Sequence, residues 1–144
     1  MVQHIVTVCL LIASVVSARA HHGDAGRYEE EVITVAGTVV ALQMVNPHSH
    51  IIFDVTKDGK TVRWQAELGT PQQLISQYKW TPQTVKVGMK LTMTGRQLKG
   101  GAPYVNLTER ANIVQTDTGR EIYRTANFGK AAPQKSDKGS FIAQ

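Results

Sequence analysis

The tetrapeptide Lys57-Asp58-Gly59-Lys60 constrains this chain more than any other stretch. Asp-Gly between two apolar, β-branched runs is the chemistry of a two-residue hairpin turn, whose central residues take positive φ. With Asp58 and Gly59 as the loop, Val55 falls opposite Val62, Phe53 opposite Trp64 and Ile51 opposite Ala66. All six are apolar and share one face. The other face pairs Asp54 with Arg63, Ile52 with Gln65 and His50 with Glu67. A slip of one residue would scramble both faces, so the alternation itself fixes the register.

The flanking text reads as further strands. Thr34 to Leu42 is rich in β-branched residues, and Gly37 within it predicts a bulge or sharp bend. Asn46-Pro47 marks a turn before the strand from Ser49 to Val55. After the hairpin, Thr70 can cap a short helix with Pro71 at its first position. Leu74, Ile75 and Tyr78 give that helix one apolar stripe, and Trp80-Thr81-Pro82 ends it. Lys90 to Arg96 reads as a fourth strand, Gly100-Gly101 as a turn, and Tyr104 to Val114 as a fifth strand. The order predicts an all-β fold, a small Greek-key five-stranded barrel of the oligonucleotide/oligosaccharide-binding type, with one short helix between strands 3 and 4. A two-sheet sandwich is the alternative. The barrel is expected over residues 31–123, after a flexible segment at 21–30 and before a mobile basic tail at 124–144.

The run Ile5–Val16 is almost wholly apolar but shorter than the ~20 residues a membrane-spanning helix needs. It is followed by Ala18-Arg19-Ala20, a small-x-small pattern that signal peptidase accepts. Residues 1–20 therefore read as a cleaved signal peptide, cut after Ala20 or alternatively after Ala18, and the mature protein as periplasmic or secreted. Cleavage after Ala20 removes Cys9, the one cysteine, and with it any disulfide or thiolate ligand. It also removes Arg19, leaving 15 basic against 11 acidic residues, a net charge of +4. No run of like charges accounts for the excess, which argues against a nucleic-acid footprint. Gly-x-Ser-x-Gly does not occur, and Ser49 has its neighbouring histidines on the opposite strand face. The chain is therefore read as a non-enzymatic protein.

One combination of residues resembles a known family. The chain carries Ala20-His21-His22 at the expected mature start, Gly37-Thr38-Val39, Asn46-Pro47-His48, Trp64-x-x-Glu67, Pro71-x-x-Leu74, Trp80-Thr81, and Val87-Gly88 ahead of a β-run. Together these resemble the small exported proteobacterial proteins catalogued as domain of unknown function 6152. The resemblance covers about residues 20 to 122. It implies an exported, barrel-like fold and brings no activity, cofactor or catalytic residue, so the site is read from chemistry alone.

The four histidines of the mature chain fall in two clusters, His21-His22 at its amino terminus and His48 and His50 around Ser49. Residues i and i+2 of a strand share a face, and the hairpin register sets Glu67 opposite His50. Two imidazoles and a carboxylate are thus expected on the outer face of strands 2 and 3. A terminal histidine adds its α-amine to its imidazole, a donor set that suits tetragonal Cu(II). If the amino-terminal segment folds over strand 2, then His21, His22, His48 and His50 converge as ligands. Glu67 would be a ligand or support, Asp24 a further oxygen donor and Met44 a neighbouring thioether. The bland alternative is a solvated His50–Glu67 pair contributing ~0.2–1 kcal/mol. A different function, docking of a partner protein or anionic envelope polymer by the barrel face (Arg96, Tyr104) or the basic tail, is the second reading.

Overall fold

In the computed structural model, which describes residues 26–132, the Asp58-Gly59 loop forms with both residues at positive φ (51° and 73°). The hairpin joins β2 (His50–Lys57) to β3 (Lys60–Glu67), and all six residue pairs expected from the sequence are the observed ones. Ile51, Phe53 and Ala66 are buried on the inner face. Val62, also on that face, is 48% exposed, because the hairpin tip projects past the barrel.

The long strand β1 (Tyr28–Gln43) pairs with β4 (Lys90–Leu98) over its first part and with β2 over its last. Thr38 is where it changes partner. Gly37, next to this crossover, has no room for a side chain: a Cβ there would lie 2.6 Å from both the Asp54 carbonyl oxygen and the Phe53 ring. The register shift in this ladder lies at Val39/Ala41, two residues beyond the glycine.

β3 runs parallel to the short β5 (Tyr104–Asn106), and β5 runs antiparallel to β4. The ring β1-β2-β3-β5-β4 is closed by the β1–β4 pairing, which makes a barrel and excludes the two-sheet sandwich. Helix α1 (Pro71–Tyr78) follows β3. The Thr70 hydroxyl accepts from the Gln73 amide, and Pro71 opens the helix as expected. Leu74 is buried and Tyr78 packs on Tyr123, but Ile75 is 50% exposed and lies off the buried stripe.

The expected fifth strand is divided. After β5 the chain leaves the sheet and re-enters as β6 (Asn112–Gln115), which pairs with an earlier stretch of β4. The Asn106 side-chain oxygen accepts from both the amide and the hydroxyl of Thr108, which turns the chain out of β5. A seventh strand, β7 (Glu121–Arg124), pairs with β6 and was not legible in the sequence. Two expected boundaries shift. Tyr28–Glu30, placed in the flexible segment, belong to β1. Residues 124–127, placed in the mobile tail, remain tied to the barrel through Thr125 on Ala111 and Asn127 on the Arg110 amide.

The close approach at Gly37 yields a stability test. The Asp54 carbonyl is backbone and cannot swing aside, and the Phe53 ring is fully buried, so Gly37→Ala is expected to cost ~1–3 kcal/mol. A urea midpoint indistinguishable from that of the parent would refute the crossover packing.

Candidate functional site

Glu67 ends β3 on the outer face, where a carboxylate would ordinarily stay in water, yet it is only 7% exposed. Its backbone is fixed on both sides. The Glu67 carbonyl accepts from the Leu107 amide at 2.8 Å, and the next residue, Leu68, donates to the Ser49 carbonyl at 2.8 Å. The side chain is covered by Tyr28 from the start of β1 and Tyr104 from β5, whose rings stack with centroids 6.4 Å apart. Both phenolic hydroxyls donate to the same carboxylate oxygen, Oε2, Tyr28 at 3.1 Å and Tyr104 in a very short contact.

The two histidines described lie at the other side of this carboxylate. His48 precedes β2, and its Nδ1 is 3.4 Å from Glu67 Oε1, with the imidazole 47% exposed. The β2–β3 pairing continues one step past His50 through the Ser49–Gly69 and Leu68–Ser49 hydrogen bonds, which holds His48 at the same edge. His50 is the cross-strand partner of Glu67 and is half-buried. Burial holds its imidazole below the ordinary histidine value; Glu67 opposes the shift and His48 adds to it. Ser49, between them, is fully buried on the inner side, as strand alternation requires.

Tyr28 reaches Glu67 because the beginning of β1 is strapped across the outer face. Between Tyr28 and Val32 the β1–β4 register shifts, and arginine side chains take over from the ladder. Arg96 donates to the carbonyls of Glu29 (2.9 Å) and Tyr28 (3.5 Å), and Arg110 donates to that of Glu30 (2.6 Å). Arg96 also pairs with the carboxylates of Glu109 (3.1 Å) and Glu30 (3.6 Å). The acidic run Glu29-Glu30-Glu31 therefore includes an anchored residue, Glu30.

Of the residues picked out from the sequence, His48, His50 and Glu67 are brought together. His21, His22 and Asp24 lie outside the described residues. Met44 packs against the core cluster. Among the described residues no group of three His, Cys, Asp or Glu side chains is arranged to hold a metal ion. The described part of the site thus supplies two imidazoles beside a carboxylate, one of whose oxygens is already taken by two phenols. Tyr28 as a cover for Glu67 was missed by sequence reasoning. Tyr104 was placed on the barrel face, but its contact with Glu67 was not foreseen.

Barrel closure, the buried tyrosine-held carboxylate and the two adjoining imidazoles define a small β-barrel protein with a polar cluster on its outer face. The chain belongs to the family of unknown function DUF6152, whose model matches residues 8–105. That span contains all five predicted site residues together with Tyr28 and Tyr104. No curated protein matches the chain. Among the described residues, no helix is long and apolar enough to cross a membrane.

The two phenols carry a pH signature. Burial, then the Glu67 hydrogen bond, drives Tyr104 far above the ordinary value of 10.0. Burial also raises Tyr28, with an opposing contribution from Asn106. A phenol whose pKa is raised in the fold stabilises it while protonated. That contribution is complete below pH 10 and is lost as pH rises from there toward the folded values. Ultraviolet titration should show late phenolate formation in the native chain compared with the urea-unfolded chain, and Glu67→Gln should bring it earlier. Coincident native and unfolded curves would contradict the arrangement.

Proposed function

We propose that this is an exported, non-enzymatic binding protein that holds a transition metal, with Cu(II) favoured, through His21, His22, His48 and His50. The observation that carries the reading is the position of Tyr28. Its hydroxyl lies on the carboxylate that also faces His48 Nδ1, so the chain leading back to His22 departs from the edge of the imidazole pair. His22 stands six positions before Tyr28, with five residues between them. An extended chain of that length spans roughly 20 Å, which is ample to bring the amino-terminal imidazoles to His48 and His50. Two imidazoles from the barrel edge, with the imidazole and α-amine of a freed His21, make the nitrogen-rich set that tetragonal Cu(II) prefers. The low position of His50 on the histidine scale keeps that ring neutral and able to coordinate at neutral pH.

The alternative is an envelope interaction module. It is favoured by a cleft of about 330 Å³ on the barrel face, lined by Ile52, Arg63, Trp64, Gln65 and Tyr104 with the β4–β5 turn at its edge. Arg96 is not an available docking cation, because its side chain is held by Glu30, Glu109 and the Tyr28–Glu29 backbone.

The test is calorimetric titration of the chain beginning at His21 with Cu(II). One tight equivalent is expected, weakened at least tenfold by His48→Ala and by removal of His21 and His22. Failure to bind stoichiometrically, or binding indifferent to both changes, overturns the copper reading.

A further inference from the structure

We infer that Glu67 is not a metal ligand but a positioning residue that sets the tautomer of His48, with the proton on Nδ1 and the lone pair of Nε2 turned outward. The inference deepens the metal reading, and its first measurement needs no metal. Oε2 of Glu67 is fully engaged, with the hydroxyls of Tyr28 and Tyr104 both donating to it. The glutamate side chain is only 9% exposed, and its second oxygen, Oε1, is the one turned toward His48. A carboxylate oxygen only accepts, and Nδ1 of His48, 3.4 Å from Oε1, is the side-chain nitrogen set against it. A neutral imidazole that donates from Nδ1 presents an unprotonated Nε2, the form in which it can ligate. His48 is 47% exposed, which leaves that outer nitrogen open to solvent and to an incoming ion.

The same geometry predicts what substitution does. In a Glu67→Gln variant the two tyrosine hydroxyls still need an acceptor, so the amide oxygen takes the place of Oε2. The amide NH2 then faces His48, and Nδ1 must accept instead of donate. The tautomer flips and Nε2 acquires the proton.

Long-range nitrogen–proton NMR of the metal-free chain reads this directly. The neutral His48 ring of the parent should show a protonated Nδ1 and a bare Nε2, and Glu67→Gln should reverse them. A parent His48 protonated on Nε2 overturns the inference whether or not the variant folds. So does a tautomer unchanged by Glu67→Gln. In a second arm, Cu(II) titration of the two proteins should show the same visible and electron paramagnetic spectrum with affinity 10–100-fold lower in the variant. A changed spectrum would make Glu67 a ligand and overturn the positioning role. If neither protein binds copper, the metal reading fails, while the tautomer measurement still decides the role of Glu67.

Discussion

A carboxylate drawn out of water costs several kcal/mol unless donors replace its hydration. At Glu67 the donors come from two distant strands, Tyr28 at the start of β1 and Tyr104 in β5. Their stacked rings also supply the apolar cover that excludes solvent. One side chain thereby ties β3 to a parallel neighbour, which local sequence does not specify, and to the strand that closes the barrel. Losing either phenol leaves the carboxylate buried with fewer donors, so the three groups stand or fall together.

The second consequence concerns the chain ahead of β1. A strand that ends by a regular ladder can peel away from its edge. Here the register breaks between Tyr28 and Val32, and three successive carbonyls are gripped by Arg96 and Arg110 instead. Both guanidinium groups are largely buried, and Arg110 holds positive φ (49°) at the turn that follows β5. The strap therefore leaves β1 beside Glu67 and His48, which determines what the amino-terminal residues can reach.

The β2–β3 register and the Thr70 cap were legible because each rests on interactions between residues close in sequence, and the class of fold was legible from the order of the elements. Asp58-Gly59 admits one turn, and the apolar alternation on either side admits one register. The division between β5 and β6 was not legible, because Tyr104 to Val114 reads as one β-rich run. The Asn106–Thr108 side-chain bonds that break it are a local signal that was available and passed over. The cover over Glu67 was beyond local pattern. Tyr28 lies 39 residues before it and Tyr104 lies 37 after it, and parallel pairing with β5 leaves no hairpin signature. The His50–Glu67 pair was read correctly. The depth to which Glu67 is buried depends on those two tyrosines, and so does the question of whether it binds an ion or holds a ring.

In the proposed copper site the amino-terminal histidines and the His48–His50 edge come together beside Glu67. Paramagnetic broadening by substoichiometric Cu(II), followed in the amide spectrum of nitrogen-15-labelled chain beginning at His21, tests it most directly. Signals of His48–His50, Glu67–Gly69 and Gly26–Tyr28 are expected to vanish together with those of the chain end. Broadening confined to residues ahead of Gly26, or centred elsewhere such as the Asp117–Glu121 turn, would contradict it.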